Sequence, residues 1–416
     1  MTTTLLDIEA IGLKGDGIAR HEGERLHIPY VLPGERIRAD IHAERADCVE
    51  VVNASAERTQ PHCPHFGTCG GCALQHWAPA GVAGWKRQRI LSALGFVGLD
   101  APVGETLDAH GAGRRRVTLH IRQIDTEKQT KILAGFMRAK SHDLIDLDAC
   151  PLLVPALAAA PDLAREAGMT LRTIAKPLDF QVTASEEGLD CDIRGAGPIS
   201  EGLRQKLVAF AVAANLPRLT LHGERLVEAR APRIVFEDNP ALSAFLPPGS
   251  FLQATARSEA MLSALALEGL AGAKHVADLF CGLGPSSLRL ARKMKVAAFD
   301  SDKPAIDALQ KSIRANPGGK PITAEARDLY RRPLFAPELK PFDAVLLDPP
   351  RQGAEAQVRE IAKSRLGRVV YVSCDPESFA RDAKLLVAAG LGLTKITPVD
   401  QFRHSPHVEL VAEFRR

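Results

Sequence analysis

The stretch Asp278-Leu279-Phe280-Cys281-Gly282-Leu283-Gly284 decides the fold of this chain. An apolar run over 275–280 leads into it, and a helix-forming run to residue 294 leads out. The glycines therefore stand at a strand-to-helix turn, where the missing Cβ lets backbone come close to a ligand. Working outward, 295–300 reads as the next strand and 304–315 as a helix, and the Val- and Leu-rich runs 344–348 and 369–373 read as further buried strands. Strands alternating with helices predict an α/β unit over 251–416, with a Rossmann-like, mostly parallel sheet. Two late runs, 393–399 and 408–414, are placed to pair as an antiparallel hairpin.

Asp300 ends the strand after the glycine turn, 22 residues beyond Asp278. A carboxylate there can accept hydrogen bonds from both ribose hydroxyls of an adenosine. NAD and S-adenosylmethionine both satisfy that. A dinucleotide fold wants G-x-G-x-x-G, because the pyrophosphate sits on the helix N-terminus. Here the third glycine position holds Ser287, and Pro285 removes a backbone donor, so the phosphate-free S-adenosylmethionine fits better. Two more elements fall at strand ends on the same sheet edge, where α/β folds place ligands: Asp348-Pro349-Pro350-Arg351 and Ser373-Cys374-Asp375-Pro376. A cysteine at that point, before a rigid proline turn, is a candidate nucleophile, although lone cysteines are more often small core residues. Methylating C5 of uracil would need such a thiolate, a carboxylate base and a donor for O4. Glu409, in His407-Val408-Glu409, is the candidate base; its plain alternative is an ordinary strand carboxylate.

The N-terminal part reads differently. Short runs at 5–8, 26–29, 36–41 and 48–52, with Gly-rich turns between, predict a small β-barrel over 1–53. Such barrels bind RNA or simply pack against a neighbour. Residues 54–250 read as a linker, a cysteine bunch, a helix over 82–94 and a mixed α+β central domain. Cys63, Cys69 and Cys72 are bunched while the other five cysteines are scattered, which in a cytosolic chain argues for metal or catalysis over disulfides. Arg114-Arg115-Arg116, and less strongly Arg138-Ala139-Lys140-Ser141-His142, are candidate RNA-phosphate contacts; a basic run is otherwise solvated surface.

At 416 residues the chain is long enough for two or three domains. Its 45% hydrophobic and 25% charged residues give the balance of a soluble globular protein. Apolar runs fall well short of the roughly 20 residues a membrane span needs. No basic segment followed by an apolar one opens the chain, so a cytoplasmic location without a membrane partner is expected. The net charge of +3, from 53 basic and 50 acidic residues, neither requires nor excludes a nucleic acid partner.

Taken together, Phe251-Leu252-Gln253, the 278–284 loop, Leu347-Asp348-Pro349-Pro350-Arg351, the run Tyr371-Val372-Ser373-Cys374-Asp375-Pro376 and the segment 400–409 resemble the motifs of the RNA uracil-5-methyltransferases. The resemblance implies that Gln253, Phe280, Gly282, Gly284, Asp300 and Asp348 hold S-adenosylmethionine, that Cys374 is the nucleophile and that Glu409 is the base. Cys63, Cys69 and Cys72, with Cys150 in Cys150-Pro151-Leu152, resemble the ligands of a [4Fe–4S] cluster in the ribosomal-RNA branch of that family. Zinc is the rival occupant of four cysteines. The barrel resembles a TRAM domain; barrel and cluster together imply a uridine of 23S rRNA as substrate. A monomer is expected.

Four positions depart from the family pattern: Thr255, Pro285, Asp375 and Arg403. The first two bear on cofactor binding, and Asp375 beside Cys374 would oppose thiolate formation unless it points away. The competing readings are a non-catalytic RNA-binding or ribosome-assembly protein with a degenerate pocket, methylation of tRNA or of cytosine C5, and an NAD-dependent oxidoreductase.

Overall fold

The computed structural model describes residues 3–125, 130–174 and 176–416. Its N-terminal six-stranded sheet runs from Thr4–Asp7 to Arg45–Asn53. Alternation builds its core: in Arg36–His42, Ile37 and Ala39 turn inward, while Arg36 and Arg38 reach out to Asp7 and Glu50 at 2.8 and 3.1 Å. The strand Gly17–His21 was hidden in a Gly-rich segment that reads as a turn. Gly17 belongs inside that strand because a Cβ there would lie 2.4 Å from Cγ2 of Val31.

The central sheet has seven strands between Arg116–Asp125 and Glu224–Glu228, covered by the helices Ala160–Thr170 and Glu201–Ala213. Leu119, Phe180, Ile193 and Leu219 from the sheet meet Ala164, Leu207 and Ala211 from the helices in one core.

The C-terminal sheet has eight strands, in the order Ile322–Ala326, Lys295–Asp300, His275–Leu279, Ala344–Leu347, Arg368–Ser373, Glu409–Arg415, Gly392–Asp400 and Leu107–Asp108. The first five run parallel, and Glu409–Arg415 is antiparallel to both of its neighbours. Ala344–Leu347 is buried throughout, as a strand with both faces covered requires.

Two stretches of the 54–250 segment pack with this sheet rather than with the central one. The helix Pro79–Phe96 lays Ile90 and Leu94 on its core beside Val103, and Leu107–Asp108 extends its edge. The hairpin of Arg233–Phe236 and Asn239–Phe245 adds Ile234, Phe236, Leu242 and Ala244 to its other face. Local periodicity finds such elements but does not say what they pack against. Among the described residues, no helix is long and apolar enough to cross a membrane.

Candidate active site

The glycine turn closes on Asp300. The Gly282 N–H donates to Asp300 Oδ2 and the Asp302 N–H to Asp300 Oδ1, both at 2.8 Å. Gly284 caps the short helix Pro285–Leu290 at φ 70°, and a Cβ on it would lie 2.5 Å from Leu309. Phe280 takes φ 64°, an uncommon backbone state for a side chain of this size, and its ring sits 5.3 Å from that of Tyr330. Ser287, at the missing third glycine, is engaged inside the protein, where its hydroxyl donates to buried Asp278 at 2.5 Å. Burial, with Asp300 nearby, still pushes Asp278 up to about 6. Pro285 occupies the first helical position, where its missing N–H is no loss. Thr255 caps the helix Ala256–Gly269 by accepting from the Ser258 N–H at 3.0 Å, and donates to the Ala109 carbonyl at 2.6 Å.

The reacting edge follows from strand register. Ser373 pairs with Leu410 across the antiparallel ladder, so Cys374 and Glu409, the next residues on each side, stand opposite one another. Glu409 is 4% exposed, and burial raises it to about 7 against the pull of the Gln401 amide and Arg351. Burial, then Glu409 and Asp348, push the Cys374 thiol up to about 12, while Arg351 opposes them. Asp348 is raised well above the usual range by desolvation and by the charges of Glu409, Asp278 and Asp300. The Asp375 carboxylate caps the helix Pro376–Ala388 by accepting from the Ser378 N–H at 2.8 Å, and its charge still adds to those that raise the Cys374 thiol. Arg403 is occupied by an ion pair with Asp108.

One residue that motif reading passed over joins these groups. The Gln401 amide donates to Gln253 Oε1 at 2.7 Å and to Glu409 Oε1 at 2.9 Å, while its own oxygen accepts from the Ala254 N–H at 2.7 Å. Fully buried Lys86 fixes the preceding residue, pairing with Asp400 at 2.6 Å and donating to the Phe402 carbonyl at 3.1 Å. Gln401 lies inside the 400–409 motif, so its position was visible. Nothing near Lys86 in sequence announces a partner more than 300 residues away.

Cys63, Cys69, Cys72 and Cys150 are free thiols lining one cavity of about 550 Å³, with Gln75, Arg114, Arg116 and Phe402 in the same wall. Among the described residues, no group of three or more His, Cys, Asp or Glu side chains is arranged to hold a metal ion. A [4Fe–4S] cluster is bulkier than one ion and holds its thiolates farther apart. The four cysteines that would hold such a group face one space. Burial and the other cysteines raise Cys72 to about 11, so a bound cationic centre would be needed to hold it as thiolate.

The arginine triplet requires a correction. Arg115 is not a phosphate contact: it is buried, ion-paired with buried Glu259, and donates to the Gln253 carbonyl at 3.2 Å. It turns into the interior just ahead of the strand Arg116–Asp125, while Arg114 and Arg116 line the cavity. The guanidinium of Arg114 lies 5.9 Å from the Phe402 ring centre, and Arg116 donates to the carbonyls of Gly249 and Ser250. The 138–142 run holds the cysteine loop: the Ala139 N–H donates to the Thr68 carbonyl at 2.9 Å, and Lys140 reaches Asp16 at 3.7 Å.

The profile of the tRNA (Uracil-5-)-methyltransferase family matches residues 324–413, which include Asp348, Cys374 and Glu409. An "Uncharacterized RNA methyltransferase" of Caulobacter vibrioides is 43% identical, covering 99% of this chain and 99% of its own. One of Brucella suis is 41% identical over 99% and 97%. In fold, the chain is similar to the Pyrococcus abyssi tRNA (uracil-54, C5)-methyltransferase solved with S-adenosyl-L-homocysteine. That likeness has a TM-score of 0.73 at 21% identity, and covers 99% of this chain and 100% of the other. The chain belongs to the RNA uracil-5-methyltransferase family.

Proposed function

We propose that the protein methylates C5 of a uridine in 23S rRNA through a covalent bond between Cys374 and C6 of the base. The observation that carries this reading is the register that sets Cys374 opposite Glu409 at the sheet edge beside Asp348. The Cys374 thiolate adds to C6, and the electron pair of the C5–C6 double bond moves toward C5 and O4. C5 forms its new bond to the methyl carbon as the bond from that carbon to the sulfonium sulfur breaks, its electron pair staying on sulfur so that a neutral thioether leaves. Glu409 then takes the C5 proton, the C5–C6 double bond re-forms, and the thiolate leaves with its electron pair. S-adenosylmethionine supplies the electrophilic methyl group when bound. Gly282 and Gly284 let the backbone approach it, Asp300 faces its ribose, and Phe280 and Asp348 complete the pocket. Asp278, Asp300, Asp348 and Glu409 give this pocket an acidic wall suited to a sulfonium cation.

The same reading places a [4Fe–4S] cluster on Cys63, Cys69, Cys72 and Cys150. It serves as a structural clamp, because methyl transfer needs no redox step. Arg114 and Arg116 supply cationic character to the cavity wall, and Phe251, 74% exposed beside it, offers a stacking face for an unpaired base. A target base would enter flipped out of its loop. Transfer RNA is the second reading, favoured by the whole-chain fold likeness to a tRNA enzyme, which includes the barrel region.

The test incubates anaerobically purified protein and a Cys374→Ala variant with methyl-labelled S-adenosylmethionine and unmodified 23S rRNA or tRNA. Label in 5-methyluridine of 23S rRNA, dependent on Cys374, supports the reading. Label in tRNA alone moves the substrate. Label in 5-methylcytidine, or RNA binding without label in either RNA, overturns the activity.

A further inference from the structure

The Gln401 carboxamide has a single possible orientation. A backbone N–H can only donate, so the atom facing Ala254 N at 2.7 Å must be the oxygen. The NH₂ end is then committed to Glu409 Oε1 and to Gln253, whose facing atom must in turn be its carbonyl oxygen. That leaves the Gln253 NH₂ without a protein partner among the described residues, on a partly exposed side chain. Gln401 itself is 1% exposed, so water does not compete for these bonds.

We propose that Gln401 is a positioning residue that uses one carboxamide to fix the proton-accepting carboxylate of Glu409 and to turn the Gln253 NH₂ toward the substrate pyrimidine. The proposal rests on Glu409 being the base. A fixed NH₂ at Gln253 donates to O4 of uracil and meets the 4-amino group of cytosine as a second donor, so the relay also discriminates between the two bases. The charged or titratable groups facing Glu409 from neighbouring elements are Asp348 and Arg351, after the strand Ala344–Leu347, and Cys374, after Arg368–Ser373. Gln401 is the neutral donor added to that set.

The experiment compares wild type with Gln401→Met, which keeps the length of the side chain but has no amide, and with Gln401→Glu, which keeps an acceptor for Ala254. Both are assayed on the RNA the wild type methylates and on the same RNA with cytidine at the target. Removing a hydrogen bond to a charged group predicts a fall in kcat of about 10-fold or more. KM for the cofactor should stay within about 2-fold, the acidic limb of the pH–rate profile should move to higher pH, and a denaturant-resistant Cys374–RNA adduct should accumulate because release depends on Glu409. In Gln401→Glu, Gln253 is free to reverse, so discrimination against cytidine should fall. Wild-type kcat, pH profile and base preference in a folded Gln401→Met protein would overturn the inference alone. A wild type that never modifies uridine would overturn the uridine reading, and this inference with it.

Discussion

Replacing Glu409 by Gln should stabilise the protein while stopping turnover. The carboxyl of Glu409 titrates near 7 in the fold and near 4.5 when exposed, because burial disfavours its charge. Below pH 4.5 both folded and unfolded chains hold the proton, and the site costs nothing. Between the two values the unfolded chain releases its proton while the folded one keeps it, so stability falls as pH rises. Above pH 7 both are ionised and the full penalty stands, on the order of 3 kcal/mol at 1.36 kcal/mol per unit. A carboxamide escapes that penalty and still offers Gln401 an acceptor oxygen at the same position. For the C-terminal unit the gain corresponds to a rise in Tm on the order of 5–10 °C. Scanning calorimetry without cofactor at pH 5, 6, 7 and 8 should show the gain growing from near zero and levelling off above pH 7. A denaturing gel should show RNA trapped on the variant through Cys374. A Tm gain equal at pH 5 and 8 would trace the effect to packing, and a lower Tm at pH 8 would refute the argument outright.

Gly284→Ala puts a Cβ 2.5 Å from Leu309 at φ 70° and should cost about 1–3 kcal/mol, with weaker S-adenosylmethionine binding by titration calorimetry; wild-type melting and affinity would contradict it. Glu259→Gln leaves Arg115 and Arg289 buried with only Asp238 still paired to the latter, which predicts a loss of about 3 kcal/mol in urea unfolding. A variant within about 0.5 kcal/mol of wild type would mean that this ion triad adds nothing. Cys150→Ser should remove iron, acid-labile sulfide and the visible absorbance of anaerobically purified protein, and a wild type already lacking all three would end the cluster proposal.

What the sequence made legible was local chemistry. The glycine turn, Asp300, Cys374 and Glu409 each sit at a strand end marked by its own flanking residues, so position along the chain predicted position on the sheet edge. Three adjacent arginines, by contrast, look alike on paper, and only the folded backbone ahead of the strand Arg116–Asp125 sends Arg115 to Glu259 while its neighbours face the cavity. Thr255, Pro285 and Asp375 were visible as departures, yet each proved to serve a helix N-terminus, a role set by backbone geometry. Lys86 and Gln401 lay beyond reach for a different reason. Their partners are Asp400 in one case and Gln253, Ala254 and Glu409 in the other, and only folding brings these segments together.

Those long-range contacts converge on the segment 400–408 that leads into Glu409. Lys86 holds Asp400 and the Phe402 carbonyl, Asp108 holds Arg403, and the Ala73 and Leu74 N–H groups both donate to the His404 carbonyl, at 2.8 and 3.1 Å. Arg114 lies over Phe402 from the cavity wall. Every one of these partners comes from residues 73–114, nearly 300 or more residues away in sequence. Ala73 and Leu74 directly follow Cys72, so whatever orders the four cysteines also orders the loop that places Gln401 against the base. A segment without regular helix or strand has few backbone bonds of its own to resist fluctuation. The position of that segment ahead of Glu409 is therefore set by contacts from residues 73–114.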